Sequence, residues 1–225
     1  MKKFALIVAG GKGNRMGGEI PKQFLEISGR PVLMHTLDVF FRYDSETEFV
    51  VVLPDEQIVA WEKLCEKYAF KLKHISCAGG NIRFDSVKNG LAQIQENGIV
   101  FIHDGVRPFV SNDTLERCFQ LAKEKGNALP VFPVTESLRH VDNSGNRAVD
   151  RSEYVLVQTP QTFLVSEIKN AYKQPYNPLF TDDASVLEAA GKKINLVEGN
   201  RENIKITYPG DLEMGEIFLR KTKTI

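Results

Sequence analysis

The stretch that decides the fold is Phe4-Ala5-Leu6-Ile7-Val8, followed directly by the loop Ala9-Gly10-Gly11-Lys12-Gly13-Asn14-Arg15-Met16-Gly17. The first five residues form a continuous apolar run that is too short for a helix, and they predict a strand buried on both faces of a sheet. The loop is rich in glycine, which allows positive φ and lets backbone N–H groups approach a ligand. Such a loop is typical of a phosphate site. Arg15 and Lys22 place two cations beside it.

Two common phosphate-binding loops do not fit these residues. A Walker A loop requires serine or threonine directly after Gly-Lys, but Gly11-Lys12 is followed by Gly13. A dinucleotide fingerprint that starts at Gly11 requires glycine at position 16, which is Met16. The sequence therefore disfavours a P-loop ATPase and a nicotinamide or flavin site, and it leaves a third kind of phosphate loop.

Length and composition indicate one α/β domain over residues 1–225. The chain is 42% hydrophobic and 26% charged, and a chain of this length buries roughly 70% of its unfolded surface around one core. Its 29 basic and 29 acidic residues give zero net charge, so we expect no nucleic-acid partner and no membrane held by bulk electrostatics. No apolar run is long enough to span a bilayer. Cationic side chains are therefore expected to act locally, at a site.

The cysteines and the first residues favour a cytoplasmic protein. Cys65, Cys77 and Cys118 are odd in number and lack metal-ligand spacing, which is typical of reduced thiols. The four histidines lack ligand spacing as well, so we expect no zinc site. The basic start Met1-Lys2-Lys3 leads into a strand, without the cleavage site of a signal peptide.

Apolar strands alternate with amphipathic helices along the chain. Phe49-Val50-Val51-Val52-Leu53 and Ile99-Val100-Phe101-Ile102 predict further buried strands, and helices are predicted from Pro31 and over residues 55–69. This alternation is typical of a mainly parallel sheet with helices on both faces. Further strands are predicted around residues 74–76, 128–134, 154–158, 194–197 and 204–207.

The expected site lies where the carboxyl ends of the parallel strands meet. The first loop, a second loop that starts at Gly79-Gly80, and Asp104 at the end of a strand are expected to converge there. Asp104 precedes Gly105, which is a typical position for a metal or hydroxyl ligand. The alternative is an aspartate that caps its own turn.

The middle of the chain predicts an edge strand and a protruding arm. Residues 128–134 are expected at a sheet edge or leaving the sheet, because Pro130 and Pro133 cannot donate ladder hydrogen bonds. Residues 135–154 are polar and contain the turn cluster Asp142-Asn143-Ser144-Gly145-Asn146, which predicts a hairpin. Two strands alone are only marginally stable, so we expect the arm to pack on another subunit.

Five further strings follow the first loop in order along the chain: Pro21-Lys22-Gln23-Phe24, His103-Asp104-Gly105-Val106-Arg107-Pro108, Thr159-Pro160-Gln161-Thr162-Phe163, Thr181-Asp182-Asp183-Ala184 and Asn203-Ile204-Lys205-Ile206-Thr207. With the Gly-Gly-x-Gly-x-Arg-Met loop they resemble the 2-C-methyl-D-erythritol 4-phosphate cytidylyltransferase family, from Leu6 to about Leu212. The resemblance implies a Rossmann-like, three-layer α/β nucleotidyltransferase fold with a β-arm over about residues 135–154 that is used in dimerisation.

The resemblance also implies a reaction. A cytidylyl group would be transferred from CTP to 2-C-methyl-D-erythritol 4-phosphate in a cytoplasmic homodimer, with Mg²⁺ or another divalent cation as cofactor and pyrophosphate as the second product. The attacking phosphate is already anionic, so no nucleophilic side chain is required. Catalysis then depends on positioning, on the metal and on cationic side chains.

Each motif position acquires an implied role. Arg15 and Lys22 would stabilise the transition state, whereas Lys205 and Arg151 would position the substrate phosphate, Arg151 from across the dimer. The residues indicated for nucleotide binding are Ala9, Gly10, Gly11, Gly13, Gly80, Asn81, Ser86 and Gly105. Those implied for acceptor binding are Asp104, Arg107, Ser137, Thr159 and Thr181. Asp104 is also the candidate metal ligand, although the CTP phosphates are expected to hold most of the Mg²⁺.

Structural roles are alternatives at several of these positions. Arg107 could bind substrate phosphate or pair with Asp104. Thr159 and Thr181 could cap a helix or a turn. Arg151 could form a salt bridge within the arm.

The acceptor and the base are the least determined parts of this hypothesis. A cytidylyltransferase for ribitol 5-phosphate would carry almost the same motifs, and transfer from UTP or ATP to a sugar phosphate is a further alternative. Asn81 and Ser137 replace the family's more usual aspartate and threonine, but both can still form hydrogen bonds. A non-catalytic nucleotide-binding protein is a further alternative, and it would be expected to lose the charged residues of the motifs. These residues are all present: Arg15, Lys22, Asp104, Arg151 and Lys205.

Overall fold

The computed structural model describes residues 1–10 and 20–222, with side chains as far as Arg220. The strands of this part of the chain are β1 (Lys3–Val8), β2 (Glu26–Ile27), β3 (Arg30–Pro31), β4 (Glu48–Leu53), β5 (Ile75–Ala78), β6 (Ile99–Asp104), β7 (Asn127–Pro133), β8 (Arg139–Asp142), β9 (Gly145–Ala148), β10 (Val155–Val157), β11 (Gln161–Leu164) and β12 (Leu196–Glu198). The helices are α1 (Val32–Tyr43), α2 (Asp55–Lys67), α3 (Arg83–Gln93), α4 (Asn112–Lys125), α5 (Val165–Ala171), α6 (Asp183–Ala189) and α7 (Pro209–Thr222).

The main sheet has eight strands among the described residues, in the order β10-β7-β11-β6-β1-β4-β5, with β12 paired to β7. Strands β5, β4, β1 and β6 are parallel, and β11 joins β6 in the antiparallel direction. Leu6 at the centre of β1 pairs with Val50 of β4 and Ile102 of β6. The predicted parallel sheet is confirmed, and it carries an antiparallel extension.

Helices cover both faces of the sheet. Alternate residues of β1 belong to different apolar clusters: Ala5 and Ile7 pack with α1, α2 and α4, whereas Phe4 and Leu6 pack with α3, α5 and α6. Side chains alternate between the two faces of a strand, so a continuous apolar run is what two covered faces require. The three-layer α/β fold is confirmed.

Strand β7 has partners on both sides, so the prediction that residues 128–134 lie at an edge is wrong. It pairs antiparallel with β10 and β11 and parallel with β12. The residues before and after Pro130 make the bonds to the β12 side, through Asn195 and Gly199. The carbonyl of Pro130 accepts from the N–H of Gln158, in the gap between β10 and β11. The missing N–H of Pro130 therefore faces a break in the partner strand.

The chain after residue 190 also differs from the prediction. The strand expected at residues 194–197 is found at Leu196–Glu198, and the strand expected at Ile204–Thr207 is wrong, because these residues have no regular structure. The N–H of Ile206 donates to the carbonyl of Val106 at 2.9 Å, and its side chain packs with Ile27, Val32 and Val106. The apolar alternation around Ile206 reflects this packing and not a sheet.

The predicted hairpin is confirmed. Strands β8 and β9 pair antiparallel from Arg139 with Ala148 to Asp142 with Gly145, and all their residues are exposed. The packing of this arm on another subunit stays a prediction. In residues 1–10 and 20–222, none of the helices combines the length and the apolar character that crossing a membrane requires.

Candidate active site

A pocket of about 230 Å³ lies at the carboxyl ends of β1 and β6, beside the start of α3. Eight of the predicted site residues line it: Ala9, Gly10, Lys22, Gly80, Asn81, Ser86, Asp104 and Lys205. A larger cavity of about 870 Å³ lies at the opposite end of the sheet, next to the start of β4, and its described lining contains none of the predicted site residues. The smaller pocket is therefore the candidate active site. Gly11, Gly13 and Arg15 lie outside the described residues.

Lys22 reaches the pocket from a short 3₁₀ turn, Lys22–Phe24. The next residue, Gln23, is fully buried and lines the pocket too. Its Nε2 donates to the carbonyl of Ala9 at 2.8 Å and to Oε1 of Gln57 at 2.6 Å. Gln23 thereby fixes the turn that carries Lys22 against the end of β1.

The second glycine loop is closed by Ser86. Its Oγ accepts from the N–H of Gly80 and donates to the carbonyl of Ile82, both at 3.1 Å. A Cβ on Gly80 would lie 2.2 Å from Cβ of Asp85, so only glycine allows the loop to approach α3 this closely. Gly105 likewise packs against Ala9, with 2.9 Å between its would-be Cβ and the Cβ of Ala9. Gly80 therefore lets its loop pack closely on α3, and Gly105 lets the segment after β6 pack closely on the segment after β1.

Asp104 ends β6 inside the pocket and pairs with two cations. Its Oδ2 lies 3.0 Å from Nζ of Lys205 and 3.1 Å from Nε of Arg107. Burial alone would raise the pKa of Asp104, but the positive charges of Lys205, Arg83 and Arg107 outweigh it and hold the pKa below its ordinary value. Asp104 is therefore an ionised carboxylate, and it accepts hydrogen bonds.

Arg107 and Lys205 are placed differently around this carboxylate. Arg107 pairs with Asp104, and its Nη1 also donates to the carbonyl of Asn203 at 2.8 Å. Its side chain is only 14% exposed, whereas that of Lys205 is 43% exposed. Of the two alternatives for Arg107, the structure contains the pair with Asp104, and Lys205 is the more accessible cation.

Comparisons with known proteins identify the family of this chain. The profile of the 2-C-methyl-D-erythritol 4-phosphate cytidylyltransferase family matches residues 4–221. The chain belongs to this family. A protein of that name from Bacteroides thetaiotaomicron is 53% identical over 219 residues, which are 97% of this chain and 100% of the relative. One from Clostridium perfringens is 39% identical, covering 97% of this chain and 99% of the relative.

Two solved structures share the fold. The crystal structure of 2-C-methyl-D-erythritol 4-phosphate cytidylyltransferase from Thermus thermophilus is 32% identical, with a TM-score of 0.79 over 98% of this chain and 100% of that one. A bifunctional protein from Campylobacter jejuni is 26% identical, with a TM-score of 0.81 over 95% of this chain and 54% of that one.

Thr159 lies behind Asp104 and outside the pocket lining. Its buried hydroxyl accepts from the N–H of Asp104 at 3.1 Å and lies 3.0 Å from Nδ1 of His103. Nε2 of His103 lies 2.9 Å from the carbonyl of Arg107. Burial lowers the pKa of His103 to about 4, so the ring is neutral, with Nδ1 accepting and Nε2 donating. These contacts support Asp104 from behind, and the contact of Thr159 with a substrate stays a prediction.

The remaining predicted residues lie away from the pocket lining. Thr181 is exposed and lines a small cavity that it shares with Arg83. Ser137 and Arg151 are exposed in the arm, and Nη1 of Arg151 donates to the carbonyl of Thr135. No salt bridge of Arg151 is found among the described residues. The role of the two arm residues at a site stays a prediction.

Two polar residues of the lining, Gln23 and Arg83, are not among the residues predicted from the sequence. Gln23 follows Lys22 in the string Pro21-Lys22-Gln23-Phe24, and Arg83 lies four residues after Gly79, where the second loop starts. The signal for Gln23 is an uncharged polar residue in an apolar context after Lys22. No sequence signal connects Arg83 with its partner Asp183, which lies 100 residues away.

Proposed function

We propose that this chain transfers the cytidylyl group of CTP to 2-C-methyl-D-erythritol 4-phosphate and releases pyrophosphate. The observation that carries the proposal is the pocket that brings Lys22, Asp104 and Lys205 together with the two glycine loops. Membership of the cytidylyltransferase family supports the choice of CTP and of this acceptor.

The reaction requires one oxygen of the acceptor phosphate to attack the α-phosphorus of CTP. A new P–O bond forms, the bond between the α-phosphorus and its bridging oxygen breaks, and pyrophosphate leaves with the electron pair. Charge accumulates on the α-phosphoryl oxygens in the transition state, and nearby cations stabilise it. We assign this task to Lys22 and Arg15.

The opposite side of the pocket would hold the acceptor. Lys205, whose side chain is partly exposed next to Asp104, would bind and orient the acceptor phosphate. Asp104 is ionised and would accept hydrogen bonds from acceptor hydroxyls, while Arg107 keeps it in place. Gly80, Asn81 and Ser86 would bind the cytidine at the start of α3.

We propose Mg²⁺ as the metal, brought in largely by CTP. Among the described residues there is no cluster of three or more histidine, cysteine, aspartate or glutamate side chains that could hold a metal alone. Mg²⁺ typically binds one or two carboxylates together with substrate phosphates, and Asp104 fits this donor set. When bound, the metal would neutralise part of the triphosphate charge.

We also propose that the protein acts as a cytoplasmic homodimer. Tyr154, Val155, Leu156 and Val157 are consecutive, large and apolar, and all are at least 43% exposed at the base of the arm. A second subunit on this strand would bury them and bring Arg151 and Ser137 towards the neighbouring site. The three cysteines are free thiols, which is usual in the cytoplasm. Light scattering that finds only monomers would contradict the dimer.

The experiment that tests the function measures pyrophosphate release from CTP and Mg²⁺ with two acceptors in parallel. Turnover with 2-C-methyl-D-erythritol 4-phosphate well above that with ribitol 5-phosphate is expected. Higher turnover with ribitol 5-phosphate would support the cytidylyl transfer but contradict the proposed acceptor. No release with either acceptor would refute the proposal. As a matched control, K192M removes a surface lysine that pairs with Glu167 and should leave turnover unchanged.

A further inference from the structure

Arg83 and Asp183 form an ion pair to which the proposed reaction gives no role. Arg83 begins α3 and Asp183 begins α6. Nη1 and Nη2 of Arg83 donate to Oδ1 and Oδ2 of Asp183, at 2.7 Å each. Two parallel hydrogen bonds fix the plane and the orientation of the guanidinium, which a lysine could not do.

This pair is buried at the aspartate and open at the arginine. Asp183 is fully buried, and its Oδ1 also accepts from the hydroxyl of Tyr172 at 2.6 Å. The side chain of Arg83 is 32% exposed and lines the active-site pocket together with Asp104 and Lys22. A pair that served only to neutralise a buried carboxylate would not need to reach the pocket.

Stability alone is a weak explanation for such a pair. The cost of removing both ions from water offsets most of their attraction, and apolar replacements of buried pairs are often neutral or stabilising. What the pair supplies is a fixed geometry between two helix starts that are distant in sequence.

The two helix starts carry residues with different predicted roles. Arg83 directly follows the loop Gly79–Ile82, which would bind the nucleotide. Asp183 follows Asp182, the N-cap of α6, and Thr181, which lines a cavity shared with Arg83. Asp182 is held in turn by Nε2 of Gln161 at 2.7 Å. The ion pair therefore connects the nucleotide loop with Thr181, which the family resemblance predicts to contact the acceptor.

We propose that Arg83, clamped by Asp183, is a positioning residue that sets the distance and orientation between the nucleotide loop and Thr181. The inference rests on the proposed function, because it concerns the alignment of that reaction's two substrates. In-line transfer requires the attacking oxygen and the α-phosphorus to be aligned, and a displacement of about 1 Å can lower the rate by about 100-fold.

The first test replaces both partners at once, in R83M/D183N. This variant leaves no unpaired charge, and the amide oxygen of the new residue can still accept from Tyr172. We expect kcat to fall by about 10- to 100-fold while the thermal midpoint stays close to that of the wild type. R83K, which keeps the charge but loses the paired hydrogen bonds, should also lose activity. The control is R30M/D38N, which removes an Arg–Asp pair that does not line the pocket and should leave kcat unchanged.

The second test separates positioning from general loosening by adding T181A. In the wild-type background T181A should raise the acceptor KM, and in R83M/D183N it should add little, because Thr181 is already misplaced. Fully multiplicative effects, or a kcat of R83M/D183N within about twofold of the wild type, would overturn the inference. Wild-type turnover tests the proposed function and the comparison of variants tests this inference, so the two can fail separately.

Discussion

Replacing His103 by glutamine should remove part of the acid sensitivity of the fold. His103 is fully buried in β6, with its ring 5.0 Å from that of Phe40, measured between centroids. It accepts from Thr159 and donates to the carbonyl of Arg107, so the native contacts require a neutral ring. Burial is the main reason why its pKa falls from 6.5 to about 4. A glutamine amide can both donate and accept, so H103Q keeps part of this bonding without a titrating group.

The sign follows from the two pKa values. As the pH falls, the unfolded chain binds a proton at this histidine near pH 6.5, whereas the folded protein does so only near pH 4. The stability that the neutral His103 ring contributes is therefore fully present above pH 6.5, and it is lost as the pH falls from 6.5 towards 4. Each pH unit in this window costs about 1.4 kcal/mol, so the wild type should lose about 2 kcal/mol from His103 between about pH 7.5 and pH 5.

Urea unfolding at the two pH values measures this loss. The stability of the wild type should depend more strongly on pH than that of H103Q, by about 2 kcal/mol, although H103Q itself starts from a lower stability. H140Q is the matched control, because it replaces a histidine that is exposed in the arm. Equal pH dependence in the wild type and H103Q would refute the argument that burial keeps this ring neutral.

Three further predictions concern the site. K205M should lower kcat/KM for the acceptor by about 10- to 100-fold with little change in the KM for CTP, since it removes one charge-assisted hydrogen bond. An equal effect on both substrates in steady-state kinetics would contradict the assignment of Lys205 to the acceptor. R151A and K22M should each be inactive alone. After subunit exchange between them, the mixture should show up to about a quarter of wild-type activity, because half of the dimers are mixed and each mixed dimer contains one complete site out of two. No gain in activity would contradict an arginine that acts across the dimer. G80A should raise the KM for CTP at least several-fold, because the new Cβ would overlap Asp85, whereas G210A, with open space around it, should not; equal kinetics for the two variants would refute the close-approach argument.

The fold could be predicted where the signal is local. The apolar runs of β1 and β6 indicate strands with two covered faces, and the structure gives each face its own apolar cluster. Ser111, a typical capping residue, directly precedes α4, and its Oγ accepts from the N–H of Thr114. These features depend on residues within a few positions of one another, which sequence patterns report directly.

The two errors come from interactions between distant segments. Pro130 was interpreted as an edge residue, but its missing N–H faces the gap after Gln158, and only the pairing of β7 with three strands reveals this. The pattern around Ile206 was interpreted as a strand, but it arises from packing against Val106, about one hundred positions earlier. A local sequence pattern shows which residues are apolar and how they are spaced. It does not show which distant segment they pack against.

The same distinction applies to the site, and it separates the two cations on Asp104. Ala9 and Asp104 follow parallel strands, so their convergence could be predicted from topology, and Arg107 lies three residues after Asp104 on the same loop. Lys205 reaches Asp104 from an irregular segment whose backbone is fixed by the bond from Ile206 to Val106. Because Arg107 is also bonded to Asn203 and is nearly buried, it is committed to the protein. Lys205 has only the carboxylate as a described partner and is far more exposed, so it is the cation that can turn from Asp104 to an incoming phosphate.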